Sequence, residues 1–251
     1  MNDSPNYGSL ATRLAALQQT LAVPREGGIA PYAAQPLTPS ATRLARSATH
    51  GPLDRSEHQA FLIGASKGQP EAVLAEAIRL GLSDFGENKV QEAQAKWPAL
   101  KAAHPAVRLH LIGPLQSNKA REAVALFDVI QTIDREKIAD ALADAIAKEG
   151  RTPAMLIQVN TGEEPQKAGV TPRATAALLA HCRGLGLPVV GLMCVPPEGV
   201  NPAPHFALLR KMAETLGLPE VSMGMSGDYE TALRLGATMV RVGTALFGAR
   251  A

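Results

Sequence analysis

Short apolar runs alternate with longer helical patterns from residue 61 onward, and this alternation constrains the fold more than any other feature. The runs are mostly continuous in apolar residues, as strands covered on both faces are, whereas the segments between them repeat apolar residues at helical spacing. Strand–helix units in this order form parallel sheets. The runs are FLIGAS at 61–66, SDFGEN at 83–88, LHLIGP at 109–114, DVIQTI at 128–133, AMLIQVN at 154–160, VVGLMCV at 189–195, EVSMGM at 220–225 and MVRVGTALFG at 239–248.

About eight such units predict an α/β protein with a single (β/α)8 TIM barrel over residues 61–251. Barrels of this kind commonly occupy about 200–250 residues as one domain, and the chain has 251 residues. A doubly wound open sheet is the alternative architecture. That fold normally carries a glycine-rich G-x-G-x-x-G phosphate turn after its first strand, and the first turn here reads ASKGQP.

Residues 1–60 have a different pattern, which predicts an N-terminal helix followed by a linker. Four leucines at spacings of four, three and four residues indicate an amphipathic helix over residues 9–22, with Ser9 as its N-cap. Residues 23–58 contain five prolines, which interrupt helices and strands. We therefore expect this segment to be a linker or an insertion.

Charge and composition exclude several classes of protein. The 25 basic and 23 acidic residues give a net charge of +2, whereas nucleic-acid binding needs a concentrated basic surface. No apolar window reaches the roughly 18 residues of a membrane span, and we find no signal peptide. The two cysteines, Cys182 and Cys194, suggest neither a disulfide framework nor a thiolate metal site. We expect a cytoplasmic protein without a metal.

A lysine follows the first predicted strand directly, at the barrel mouth, the end where the C-termini of the strands lie and where barrel active sites form. We expect the ammonium group of Lys67 to project over the barrel axis. Apolar surroundings there would favour the neutral amine that forms Schiff bases; a solvated lysine at a strand end is the alternative. Other residues expected at this mouth are Asn88, Gly113, Asn160, Met193, Met225, Ser226 and Gly243.

Small residues after the last two strands form a candidate phosphate cradle. Gly224, Ser226 and Gly227 precede one helical segment, and Gly243 and Thr244 precede the last one. Exposed N–H groups at helix starts bind phosphate, frequently after strands 7 and 8 of a barrel. Glycines that only make tight turns are the alternative. An amine after strand 1 beside such a cradle indicates a phosphorylated aldehyde or ketone held as an imine.

Three further polar side chains need an explanation. Arg241 lies inside the last apolar run, so it must face a polar centre or be paired, either with a ligand ring nitrogen or with Glu87. His110 is expected to be a hydrogen-bonded core residue. Lys167 is expected in the loop after the fifth strand, at the same mouth, where neighbouring glutamates could partly neutralise its charge. The methionines near strand ends are expected to fill gaps in the core: Met193, Met223 and Met225.

Seven motifs in a fixed order resemble the pyridoxal 5′-phosphate (PLP) homeostasis protein family over residues 61–250. This family has the barrel of the alanine racemase N-terminal domain. The helix over residues 9–22 is also similar to that family's N-terminal helix. The motifs are ASK at 65–67, FGEN-x-VQE at 85–92, LHLIGPLQSNK at 109–119, QVN…K-x-G at 158–169, GLM at 191–193, SMGMS-x-D at 222–228 and VRVGTALFGAR at 240–250.

The resemblance implies that PLP is the cofactor and that Lys67 carries it as an internal aldimine. It further implies phosphate contacts at Ser226, Gly243 and Thr244, a place for Arg241 beside the pyridine nitrogen, and cofactor contacts at Asn88 and Met225. Such proteins keep free PLP low and balanced, with no firmly established catalysis. The chain departs from the family at Lys89, where tyrosine is usual, and at Gly68, where threonine is common.

The residues favour a PLP carrier over an enzyme. Arg241 cannot accept a proton, so it would hold the ring nitrogen unprotonated and weaken the electron sink that amino-acid chemistry needs. We find neither a well-placed tyrosine acid nor sequence for the second domain of a racemase. We expect a monomeric carrier with PLP-dependent apoenzymes as possible recipients and Lys167 as a possible second PLP lysine. The alternatives are a low-activity PLP-dependent amino-acid racemase and a Schiff-base aldolase without PLP.

Overall fold

Eight parallel strands form a closed barrel in the computed structural model, which describes residues 9–22 and 60–248. Each strand pairs with its neighbour in chain order, and β1 also pairs with β8. The strands are β1 (Phe61–Ala65), β2 (Asp84–Glu87), β3 (Arg108–Leu111), β4 (Val129–Ile133), β5 (Ala154–Val159), β6 (Val189–Cys194), β7 (Glu220–Ser222) and β8 (Met239–Val242).

A helix follows every strand, so the predicted (β/α)8 barrel is confirmed and the open sheet is wrong. The last predicted run needs a correction, because only its first part is a strand. The strand β8 ends at Val242, and a short helix begins at Thr244 after Gly243. The helices are α1 (Leu10–Ala22), α2 (Glu71–Arg79), α3 (Val90–Ala103), α4 (Ala120–Leu126), α5 (Glu136–Glu149), α6 (Thr175–Gly184), α7 (Ala203–Leu216), α8 (Tyr229–Arg234) and α9 (Thr244–Phe247).

The barrel has an apolar layer under the helices and a second, smaller apolar cluster inside the strands. The outer layer is aliphatic apart from a few rings such as Trp97 and Phe85, whose ring centroids lie 4.9 Å apart. The inner cluster joins residues of five strands, which meet only across the barrel interior. Its fully or nearly fully buried members are Ile63, Val129, Leu156, Met193 and Met239. The interior is therefore packed and is not a pore.

The helix α1 lies against the place where the barrel closes. The predicted helix is confirmed, and Ser9 caps it by accepting a hydrogen bond from the Thr12 N–H at 3.3 Å. Its leucine face is buried, and it contacts both β1 and α9. The predicted linker at 23–58 lies outside the described residues, so the division of the chain at residue 60 stays a prediction. Within residues 9–22 and 60–248, no helix combines the length and apolarity needed to cross a membrane.

Candidate functional site

The parallel strands bring most of the predicted site residues to the barrel mouth. Lys67 follows β1, Asn88 follows β2, and Ser226 and Gly243 follow β7 and β8. Because β1 pairs with β8, the lysine and the last two loops share one side of the mouth. Met193 differs from this group, since it lies within β6 and is fully buried.

Lys67 occupies a tight turn that lifts it beyond the end of β1. The turn is closed by a 3.0 Å hydrogen bond from the Gln69 N–H to the Ser66 carbonyl. Gly68 has a φ of 70°, in the left-handed region that glycine adopts without strain, which explains the residue after the lysine. The Lys67 side chain is exposed. The expected apolar surroundings are therefore wrong, because the turn carries the side chain past the packed interior.

Helix α3 holds this turn through a cluster of charges that joins its half-buried Glu92 and Lys96 to the buried Glu87 of β2. The Ser66 hydroxyl donates to Glu87 at 2.7 Å, and Lys96 lies 2.7 Å from Glu87 while donating to the Ser66 carbonyl at 3.1 Å. The Gly68 N–H donates to Glu92 at 2.7 Å. Sequence reasoning missed Glu92 and Lys96, although a Glu–Lys pair four residues apart on a helix was visible.

The Glu92 carboxyl is held in its charged form by these donors. Burial raises its pKa, but the Gly68 N–H, Lys96 and the nearby Lys67 together bring the pKa below its ordinary value. Glu87 is fully buried, and its second carboxylate oxygen has no hydrogen-bond partner among the described residues. The backbone at Lys67 is thus fixed from below while the lysine side chain stays accessible.

The loops after β7 and β8 meet at Ser226, where the sequence predicts a phosphate cradle. The Ser226 hydroxyl oxygen accepts hydrogen bonds from the Gly243 N–H at 3.2 Å and the Ala245 N–H at 3.3 Å. Asp228 fixes the preceding turn by accepting from the Met225 N–H at 2.6 Å. Met225 is 38% exposed, so the expectation that it fills the core is wrong. Two backbone donors at the start of α9 therefore converge on one point.

Arg241 reaches from β8 across the interior toward the ends of β6 and β7. It is 3% exposed and donates to the Ser222 hydroxyl at 2.6 Å and to the Cys194 carbonyl at 2.8 Å. Burial lowers the pKa of its guanidinium from the usual value. The alternative pairing with Glu87 is wrong, since that carboxylate faces Lys96 instead.

Lys167 lies in the loop after β5, which is four strands from β1 in either direction around the barrel. Its Nζ is 2.8 Å from Glu164 and donates to the Pro196 carbonyl at 3.3 Å. The predicted neutralisation by a neighbouring glutamate is confirmed. Asn160 shapes the loop by donating to the Glu164 carbonyl at 2.8 Å. The second lysine thus sits across the mouth from Lys67.

The other residues singled out in the sequence are either buried in hydrogen-bonded or packed positions or exposed at the mouth. His110 is 1% exposed and hydrogen-bonded, as predicted for a core histidine. Asn88 is partly exposed, and its backbone packs against Gly113 so closely that a Cβ there would lie 2.2 Å from the Asn88 carbonyl oxygen. Lys89 and Thr244 are exposed. Among the described residues, no three histidine, cysteine or carboxylate side chains gather as a metal site would require.

Comparisons with known proteins identify the family to which the chain belongs. Residues 65–251 match the model of the alanine racemase N-terminal domain family. The chain is 40% identical to a pyridoxal phosphate homeostasis protein of Aquifex aeolicus over 206 residues, which is 78% of this chain and 90% of that protein. A protein of the same name from Pseudomonas aeruginosa is 43% identical over 196 residues, covering 75% and 84%.

A solved structure also matches over almost the whole length. PipY of Synechococcus elongatus, solved with PLP bound, is 35% identical, with a TM-score of 0.74 and coverage of 96% of this chain and 100% of PipY. The fold and the sequence identity extend well beyond single motifs. The chain therefore belongs to the alanine racemase N-terminal domain family and, within it, to the pyridoxal phosphate homeostasis proteins.

Proposed function

We propose that the protein binds PLP at the barrel mouth and takes part in PLP homeostasis as a carrier. The observation that carries this proposal is that three chemically different groups belong to β1, β7 and β8 or to the loops that follow them, and these strands are neighbours in the barrel. These are the amine of Lys67, the N–H donors that converge on Ser226, and the guanidinium of Arg241. They match the aldehyde, the phosphate and the ring nitrogen of PLP in turn.

The phosphate contact is supported by the two N–H groups at the start of α9. Gly243 and Ala245 both donate to one hydroxyl oxygen, and they would donate in the same direction to a phosphate oxygen that takes its place. The Ser226 hydroxyl can turn and donate to the same phosphate. Thr244 lies between the two donors and is exposed, which leaves its side chain accessible to the phosphate.

The covalent contact is assigned to Lys67. When bound, PLP would supply an aldehyde that is reactive toward an uncharged amine and a ring that withdraws electrons, and Lys67 would hold it. Because Lys67 is exposed while its backbone is fixed, the amine can meet PLP from solvent without rearrangement of the barrel. Asn88 and Met225 flank the ligand on the neighbouring loops.

Arg241 favours a carrier over an amino-acid enzyme. A permanently charged guanidinium can only donate to the ring nitrogen, so the nitrogen stays unprotonated and the ring is a weaker electron sink. Racemisation also needs acid–base groups on both faces of the substrate. The tyrosine within the described residues, Tyr229, interacts with Thr20 of α1 and Glu230 rather than with the mouth residues named above.

The first test is the visible spectrum of the purified protein, followed by borohydride reduction and peptide mapping. We expect a coloured protein whose pyridoxyl group maps to Lys67. Lys67→Ala should lose the adduct, whereas Lys89→Ala, which removes an exposed lysine after the neighbouring strand, should retain it. A protein that stays colourless with added PLP, or a reducible adduct at this mouth in Lys67→Ala, would refute the proposal.

Delivery of PLP is the finer part of the proposal. The exposed amine and the mouth site support release to PLP-dependent apoenzymes by a monomeric protein. Its two cysteines, both buried and unpaired, fit the reducing cytoplasm. Lys167, across the mouth, would hold the aldehyde transiently during exchange. If Lys167→Ala exchanges PLP at the native rate, that role is excluded.

The racemase-like enzyme is the alternative function, favoured by the family match. Its test is exchange of the α-proton of amino acids with deuterated solvent. We expect no exchange above that caused by free PLP. Exchange that depends on Lys67 would refute the carrier function and support the racemase-like enzyme.

A further inference from the structure

A chain of hydrogen bonds runs through the barrel interior below Arg241. Its guanidinium donates to Ser222 at 2.6 Å, and Ser222 contacts Oε1 of Gln131 at 2.6 Å. Nε2 of Gln131 lies 3.0 Å from Nδ1 of His110, whose Nε2 lies 2.9 Å from Asp84. All five side chains are buried, and they come from β8, β7, β4, β3 and β2.

The donors and acceptors along this chain can run in one direction. A guanidinium only donates, so Ser222 accepts from Arg241 and gives its own hydrogen to Oε1 of Gln131. The amide nitrogen of Gln131 then donates to Nδ1 of His110, and also to the sulfur of Met239 at 3.6 Å. Because Nδ1 accepts, the hydrogen of neutral His110 lies on Nε2 and is donated to the carboxylate.

The hydrogen-bond chain ends at the carboxylate of Asp84, which is held in place by its own partners. Arg108 contacts Asp84 through Nε at 2.8 Å and through a second nitrogen at 2.9 Å, and Ser83 donates to the same carboxylate at 2.7 Å. Burial raises the pKa of Asp84, but His110 and Arg108 lower it to about 2. The carboxylate is therefore charged at neutral pH and accepts a hydrogen from Nε2 of His110, which leaves Nδ1 available to Gln131.

We propose that Gln131 and His110 are positioning residues for the cofactor's ring nitrogen, acting through Ser222 and Arg241. The proposal rests on the PLP site proposed above. By holding the Ser222 hydrogen, Gln131 keeps a lone pair of that hydroxyl directed at the guanidinium. Arg241 gives two of its five N–H hydrogens to Ser222 and Cys194, and no other acceptor among the described residues takes one. A fixed guanidinium therefore presents its remaining hydrogens in one orientation.

The test compares PLP with its 1-deaza analogue, in which a carbon replaces the ring nitrogen. A hydrogen bond from a charged donor contributes enough that the native protein should bind PLP about 10-fold tighter than the analogue. Gln131→Met keeps the volume but releases Ser222, and should reduce this ratio to about 2-fold. Equal weakening of both ligands, with the ratio unchanged, would show a merely structural role and overturn the proposal.

A matched control removes a buried hydrogen bond between β7 and the residue that precedes β8. Thr238 accepts from the Val221 N–H at 2.8 Å and donates to Glu220 at 2.7 Å. Neither bond belongs to the row of hydrogen bonds from Arg241 to Asp84. Thr238→Val should lower stability but leave the ratio of PLP to analogue binding at its native value. A ratio that falls as far in Thr238→Val as in Gln131→Met would overturn the proposal, because general loosening would then explain both.

A second measurement reads the hydrogen positions in the native protein directly. Long-range ¹H–¹⁵N NMR of the native protein at pH 7, with the His110 signals identified from their loss in His110→Gln, should show a hydrogen on Nε2 and none on Nδ1. A hydrogen on Nδ1 overturns the proposed direction. A native protein that binds PLP and the analogue equally overturns this inference alone. A native protein that binds neither overturns the proposed function and this inference with it.

Discussion

Asp84 gives the barrel a stability that depends on pH. Its pKa is about 2 in the folded protein against an ordinary value of 3.8. A lowered folded pKa stabilises the folded state above the unfolded pKa, and this contribution disappears as the pH falls through the folded pKa. The difference corresponds to about 2 kcal/mol of unfolding free energy at pH 7 and about 1 kcal/mol at pH 3.

The measurement is urea unfolding of the native protein and Asp84→Asn between pH 7 and pH 3. The one tryptophan, Trp97, is fully buried and reports unfolding by fluorescence. We expect Asp84→Asn to cost about 2 kcal/mol or more at pH 7, because Arg108 also loses its partner, and the cost to fall by about 1 kcal/mol at pH 3. Asp144→Asn, at an exposed position of α5, is the control and should cost little at either pH. A cost of Asp84→Asn that stays constant with pH would refute the reasoning.

Three further predictions concern packing and reactivity. Gly113→Ala should lower the unfolding free energy by about 1–3 kcal/mol and weaken PLP binding, since its Cβ would meet the Asn88 backbone; a native melting temperature and native PLP titration would contradict this. Leu17→Ala should cost about 2–5 kcal/mol in urea unfolding, because Leu17 is 4% exposed on α1; no loss would mean that α1 does not contribute. Cys182 and Cys194 should react slowly with a disulfide reagent at pH 8, because burial raises their pKa values to about 11 and about 12; rapid reaction of the folded protein would contradict it.

The architecture was predictable because its signals are local. Continuous apolar runs and helical spacing fix each unit, and the closed barrel then dictates that the loops after β1, β7 and β8 are neighbours. The contact between the last two loops at Ser226 could be predicted for this reason. The end of β8 could not, because ten mostly apolar residues read alike as a strand or as a strand followed by a one-turn helix.

The hydrogen-bond partners of the buried side chains could not be predicted from the sequence. Arg241 had two plausible partners, and the structure gives it Ser222 and a carbonyl instead of Glu87. The link from Ser222 to Gln131 joins residues 91 positions apart, and no periodicity encodes such a pair. Exposure of Lys67 depends on how far one turn extends past the strand, which is decided by Gly68 and by its hydrogen-bond partners on α3, the acceptor Glu92 and the donor Lys96.

Helix α1 also bears on the order in which the protein can complete its fold. Arg13 donates from α1 to the Leu246 carbonyl at 2.7 Å, a contact that joins residues 233 positions apart. During synthesis the leucine face of α1 lacks its contact with α9 until α9 has been synthesised. Such distant contacts form slowly, because closing a long loop costs conformational entropy. We therefore expect docking of α1 to accompany the pairing of β1 with β8 as a late step, and a nascent chain lacking only α9 to expose the leucine face to chaperones.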